Sequence, residues 1–94
     1  MLDRIRKRDG KIQSFHPEKI SVAILKAAEA CGGSDAALAD ALCAQVVATA
    51  EATFGDRVPD VESIQDLVER VLIKNGHART AKAYILYREK RSRM

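Results

Sequence analysis

The sequence predicts an α+β fold that is mainly helical: a four-helix bundle capped by a small β-hairpin or a three-stranded sheet. Three observations lead there. Asp9-Gly10 sits between two short runs with apolar anchors, a strong local hairpin signal. Four later stretches carry apolar residues at helical spacing. Alanine and leucine-type residues dominate while aromatics make up only 4%, a balance that favours helix over sheet.

Leu2 to Arg8 alternates loosely around Ile5, and Lys11 to Phe15 answers it with Ile12 and Phe15. Asp9-Gly10 is read as a two-residue primed turn, which needs positive φ at both central positions. An isolated hairpin is marginal in water, so this one must pack on something. Pro17 suits the first position of a helix, where its missing N–H costs nothing, and Glu18 faces the positive helix end. Ile20, Ala23, Ile24, Ala27, Ala28 and Cys31 then recur at helical spacing until Gly32-Gly33. Ser34 can cap the next helix, whose stripe is Leu38, Leu42, Val46 and Ala50. Gly55 closes it. Arg57-Val58-Pro59 is a short extended link able to add a third strand, at an edge because Pro59 cannot donate to a ladder. Asp60 or Ser63 can cap the third helix, which turns Ile64, Leu67, Val68, Val71 and Leu72 inward and ends at Asn75-Gly76. The last helix turns Ala81, Tyr84, Ile85 and Leu86 inward. The expected layout is a single domain over 1–94, with the hairpin at about 2–16 and helices at about 17–31, 35–54, 61–74 and 78–91.

Ninety-four residues suffice for one core. With 47% hydrophobic and 31% charged residues, the chain has a folded rather than a disordered balance. No apolar run approaches the ~20 residues that cross a membrane. Arg4, Arg6, Lys7 and Arg8 lead into no apolar stretch, so no signal peptide is read, and the expected location is cytoplasmic. Cys31 and Cys43 each lie in an alanine-rich helical pattern and read as reduced small hydrophobes rather than a disulfide. Without a CxxC or Cys/His cluster, a structural zinc site is not expected.

The net charge of +3 hides a segregation. Residues 1–26 hold seven Lys/Arg and three Asp/Glu, residues 27–69 one Arg and nine Asp/Glu, residues 70–94 eight Lys/Arg and one Glu. Two basic ends can converge on one small anion if the fold joins them, whereas a duplex binder spreads its cations along a long face. An unevenly charged but ordinary solvated surface accounts for the same numbers.

A catalytic reading is poor. His16 and His77 are far apart and both adjoin helix starts, where a capping or surface role suffices. No nucleophile, paired acid or HExxH arrangement is present, and no Gly-Lys-Ser/Thr follows a glycine as in a phosphate loop. Binding is better supported. Lys7, Arg8 and Lys19 are expected around one hairpin–helix junction, and such cations suit the acceptor oxygens of a triphosphate. Ile5, Ile12 and Phe15 can continue into an apolar slot for a flat base. Solvated hairpin cations of no special use are the equal alternative on chemistry alone.

Arg6-Lys7-Arg8-Asp9-Gly10, Phe15-His16-Pro17-Glu18-Lys19-Ile20 and Ala23-Ile24 resemble the opening of the ATP-cone domain. Val61-Glu62-Ser63-Ile64-Gln65-Asp66-Leu67-Val68-Glu69 and Ala81-Lys82-Ala83-Tyr84-Ile85-Leu86-Tyr87-Arg88 resemble its second half. The likeness runs from about Asp3 to Arg91, and its ending is most similar to cones of anaerobic and cobalamin-dependent ribonucleotide reductases. It implies a four-helix bundle capped by a small mixed three-stranded sheet. It also implies a regulatory domain without catalysis of its own, which binds ATP or dATP, with Mg2+, as an effector. In the reductases, ATP permits activity and dATP shuts it down by changing how subunits associate; cones also occur in a bacterial transcriptional repressor of reductase genes, so control of reductase activity or of its expression is implied.

Carried over by position, Lys7 and Arg8 would contact phosphates and Lys19 phosphate or ribose. Ile5, Phe15, Ile20 and Ile64 would line the base slot. Gln13, His16 and Gln65 would make polar contacts to adenine or ribose, while Asp9 and Gly10 would build the turn. The implied partner is a reductase catalytic subunit or a second cone, including a copy of this chain. No catalytic domain follows Met94, and the cysteine-rich zinc ribbon that precedes the cone in a bacterial repressor of reductase genes is lacking, so the chain is expected to be either a stand-alone cone, which the 94-residue sequence favours, or an excised domain. Two alternatives stand beside it. One is a nucleic-acid-binding module, against which the acidic middle argues. The other is a purely structural helical module with an idle nucleotide site.

Overall fold

The computed structural model describes residues 2–92, with side chains up to residue 90. Strands β1 (Arg4–Arg6) and β2 (Ile12–Ser14) pair antiparallel, with Arg4 opposite Ser14 and Arg6 opposite Ile12. The turn between them differs from the primed turn expected at Asp9-Gly10. The Gly10 N–H donates to Lys7 O at 2.9 Å, and the Lys7 N–H to Lys11 O at 2.8 Å. The central turn residues are therefore Arg8 and Asp9, and Gly10 follows alone at φ 87°. No described non-glycine residue has positive φ. A three-residue hairpin loop with glycine in the left-handed position spares Asp9 that conformation. The Asp9 carboxylate instead accepts from the Lys11 N–H at 2.9 Å, tightening the loop locally.

The extended link adds one bridge rather than a strand. Asp60 bridges Arg6 in parallel, and the Arg6 N–H donates to Pro59 O at 2.9 Å. The sheet proper stays two-stranded. Pro59 is buried there, consistent with a residue that accepts but cannot donate.

Helices α1 (Pro17–Ala30), α2 (Ala36–Phe54), α3 (Val61–Lys74) and α4 (Ala78–Ser92) follow. Helix α1 packs on α2 and α4, and α3 packs on the same two, so the four close a ring around one core. Ile24, Val46, Val68 and Leu72, one from each of the first helices and two from α3, are at most 1% exposed. Each such burial stabilises by roughly 1.5–3 kcal/mol. The hairpin joins this core through Leu2, Ile5 and Phe15, which supplies the packing it needs.

Several local expectations are corrected. Asp35, not Ser34, caps α2: its carboxylate accepts from the Leu38 N–H at 3.0 Å, because Asp35 is the last residue before the helical turn. Asp60 caps α3 in the same way, from the Ser63 N–H at 3.2 Å. Ile12 (47% exposed) and Leu86 (60%) face outward. Ile12 falls on the opposite face of β2 from the core, and Leu86 lies two residues past Tyr84, on the far side of α4. Leu38 stands at the rim of the α2 stripe at 39% exposure. Helix α2 itself is long and apolar enough, by length and composition, to cross a membrane, contrary to the sequence reading. Its Ala39, Leu42, Cys43, Val46 and Ala50 are nevertheless buried against its neighbours. The two cysteines are free, Cys43 buried and Cys31 half-buried.

Candidate functional site

A cavity of about 590 Å³ opens where the hairpin meets the starts of α1 and α3 and the end of α4. Every residue assigned to nucleotide contact from the sequence lines it. The hairpin brings Ile5, Lys7, Arg8 and Gln13. The junction brings Phe15, His16, Lys19 and Ile20, and the first turns of α3 bring Ile64 and Gln65. Ile12, the remaining apolar hairpin residue, is not part of the wall.

The local reasons are simple. Strand pairing turns Ile5 and Phe15 inward, both at most 9% exposed, and leaves Lys7 and Arg8 beyond the last pair, in the turn. Pro17 begins α1 sharply, so Lys19 lies in the first turn beside the hairpin. The Asp60 cap fixes the start of α3 and so the positions of Ile64 and Gln65. Hydrogen bonding from Ser63 holds the Asp60 carboxyl below the usual range, with a smaller contribution from the nearby Arg6 charge. His16 precedes α1 without a side-chain capping bond, and its Nδ1 lies 3.3 Å from Glu18 Oε1.

Two arginines reach α3 from different elements. Arg8 donates from Nε to Glu62 Oε1 at 3.2 Å and from Nη2 to Gln65 Oε1 at 3.1 Å. Arg88 of α4 pairs with Asp66 at 2.9 Å and with Glu69. Glu62, Gln65, Asp66 and Glu69 follow an i, i+3, i+4, i+7 pattern and form one polar stripe along α3. Burial works against the Arg88 charge, yet the hydrogen-bonded carboxylates outweigh it and push its pKa up. Tyr84 on the cavity wall is 5% exposed, and burial raises its hydroxyl to about 12. The wall thus combines an apolar floor with a cationic rim, which suits a ligand with one flat apolar part and one polyanionic part.

Sequence reasoning missed part of this wall. Val22 and Lys26 line it, and Lys26 lies two helical turns from Lys19 on the same face of α1. Tyr84, Tyr87 and Arg88 line it from α4, again at i, i+3 and i+4. Extending the helical spacing outward from Lys19 finds Lys26. Tyr84 belongs both to the core and to this wall.

The opposite end of the bundle holds a smaller cavity of about 390 Å³, among the end of α1, the start of α2 and the α3–α4 loop. Leu38, Leu42, Ile24 and Ala28 give it an apolar wall, with Cys31, Asp35, His77 and Arg79 at its margin. The Cys31 thiol donates to Arg79 O at 3.4 Å. Burial pushes the Cys43 thiol up, and Cys43 does not line this cavity. Among the described residues, no three or more His, Cys, Asp or Glu side chains gather as a metal site.

The sequence profile of the ATP cone domain matches residues 3–93. Similar proteins include the ribonucleoside-diphosphate reductase subunit alpha of Chlamydia trachomatis, 39% identical over 97 residues, covering 94% of this chain and 9% of that protein. The vitamin B12-dependent ribonucleoside-diphosphate reductase of Thermoplasma acidophilum is 41% identical over 96 residues, covering 97% of this chain and 12% of that protein. The anaerobic ribonucleoside-triphosphate reductase of Escherichia coli is 38% identical over 92 residues, with the same coverage of 97% and 12%. The chain therefore spans about a tenth of the length of these curated relatives. With the profile matched from residue 3 to residue 93, the chain belongs to the ATP cone domain family.

Proposed function

We propose that this chain binds ATP or dATP in the hairpin-end cavity and acts as an allosteric effector domain, without catalysis of its own. One observation carries the reading. Lys7 and Arg8 from the hairpin turn and Lys19 from the first turn of α1 converge with Ile5, Phe15, Ile20 and Ile64 on one cavity wall. That juxtaposition is what a nucleoside triphosphate needs: cations for phosphates and an apolar slot for the base. Gln13, His16 and Gln65 supply polar atoms for the adenine or ribose. Magnesium arrives on the phosphates in this reading, since the described residues offer no metal cluster of their own.

The partner in this reading is a ribonucleotide reductase catalytic subunit or a second cone, and the setting is cytoplasmic. The relatives named above, which are reductases, support it. The chain matches only about a tenth of the length of those proteins, and in this reading it is assigned the control and not the chemistry.

Isothermal titration with ATP and dATP in magnesium buffer, with GTP as control, tests the assignment. Adenine-selective binding in the micromolar range is expected. The joint replacement Lys7→Ala with Arg8→Ala should weaken ATP at least tenfold, about 1.4 kcal/mol per decade. Wild-type affinity in that double variant would remove the phosphate assignment. Absence of heat and of thermal stabilisation with every nucleotide would leave a structural module.

A further inference from the structure

Arg8 borders two cavities, and Glu62 borders only one of them. The larger is the cavity of about 590 Å³ assigned above to nucleotide, and Glu62 has no part in its wall. The smaller, about 300 Å³, is lined by Arg8, Glu62, Ile85, Arg88 and Glu89. The Glu62 carboxylate thus holds the Arg8 guanidinium without itself lining the large cavity. The two hydrogen bonds to Glu62 and Gln65 use Nε and Nη2. Nη1 and the second Nη2 hydrogen take part in neither. A planar guanidinium held along one edge presents its other edge in a fixed direction.

From this we propose that Glu62 is a positioning residue for nucleotide affinity, acting through Arg8. The proposal rests on the assignment of Arg8 to phosphate. Arg8 sits in a turn with its side chain 40% exposed, and an unrestrained arginine there samples many rotamers. Tethering it to α3 before the ligand arrives removes part of that ordering from the binding step. Glu62 thus makes no contact with nucleotide and still sets how tightly it binds. Its place in the first turn of α3 fixes the tether, because the Asp60 cap anchors that turn. Gln65, one turn on, holds the same guanidinium and itself faces the large cavity, so it cannot test the idea cleanly.

The test is a double-mutant cycle on the full chain, read by titration with magnesium-ATP. Glu62→Ala should weaken ATP about tenfold. Glu62→Gln keeps an acceptor for Nε and should stay within about threefold of wild type. In an Arg8→Ala background, Glu62→Ala should change nothing further, because its only route to the ligand is gone. Melting temperatures of all variants, measured alongside, separate affinity from folding. If wild type binds ATP and Glu62→Ala binds equally well or more tightly, the proposal is overturned while the nucleotide site stands. An equal tenfold loss in both backgrounds also overturns it, since Glu62 then acts without Arg8. Failure of wild type to bind any nucleotide takes down the site assignment and this proposal together.

Discussion

The two ends of the bundle are built differently, and the difference separates support from recognition. The loop end is closed mainly by local devices, with the Cys31 thiol bond to Arg79 O, across 48 residues, and the Gln45–Asn75 amide pair, across 30, as its long-range ties. Gly32, at φ 90°, and Gly76, at φ 81°, close α1 and α3. Asp35 caps α2 with a bond spanning three residues. The cavity there is mostly apolar and gathers no cationic cluster. The hairpin end is assembled from long-range contacts. Arg8 reaches Glu62 and Gln65 across 54 and 57 residues of sequence, and Arg88 reaches Asp66 and Glu69 across 22 and 19. Cations are placed there in a pattern that no single segment encodes. The same four helices thus carry a plain closure at one end and a charged, partly apolar cavity at the other.

That contrast can be broken from the middle. Leu72 is fully buried and belongs to the core shared by both ends. Leu72→Ala should cost about 3 kcal/mol by lost burial and cavity formation, seen as a lower urea midpoint with unchanged slope. Both ends should melt together. A variant that loses the hairpin while keeping the helices would show that the ends are not one cooperative unit.

An alkaline titration is nearly as strong a probe. Tyr84 lies on the site wall, and its pKa is raised by burial to about 12 against an ordinary value near 10. The neutral phenol is favoured in the folded state, so its contribution is complete below pH ~10 and is lost as pH rises toward 12. The shift of the Tyr84 hydroxyl from about 10 to about 12 corresponds to on the order of 3 kcal/mol. Tyr84→Phe should remove most of this alkaline decline in melting temperature, and an identical decline in that variant would assign it to other groups.

Arg88→Leu comes next. The arginine side chain is 18% exposed and its partner Glu69 is 19% exposed, so removing the cation leaves a largely desolvated carboxylate. A loss of about 2 kcal/mol is expected, between the value for a surface pair and that for a fully buried one. Adding Glu69→Leu should recover part of it. The smallest expected effect compares the caps. Asp35→Ala and Asp60→Ala should each cost about 1 kcal/mol. Only Asp60→Ala should also weaken nucleotide binding, since α3 begins at the site. Equal effects on binding would dissolve the distinction between the two ends.

What could be read from the sequence follows the same division. Helix stops at Gly32, Gly55 and Gly76, the start at Pro17 and the Asp60 cap each depend on a few adjacent residues, and they were legible. So was the gathering of Lys7, Arg8 and Lys19, because a hairpin running straight into a helix leaves them little room to diverge. The turn type was not, since Asp-Gly fits both a two-residue primed turn and a three-residue turn, and pairing register decides between them. Leu86 was misplaced because Ile85-Leu86 offers two apolar neighbours and only the crossing of α4 over α1 and α3 selects the inner one. Glu62 and Arg88 were invisible as partners of the site, because their roles arise from contacts between distant segments that carry no local signal.

The most direct test of the account is a 1H–15N spectrum of the chain titrated with magnesium-ATP. Shifts are expected to concentrate at residues 5–20, 61–66 and 84–88 and to saturate together, with the amides of Cys31, Leu38 and His77 at the other end essentially still. Shifts concentrated at that other end, or a spectrum unmoved by millimolar nucleotide, would contradict it.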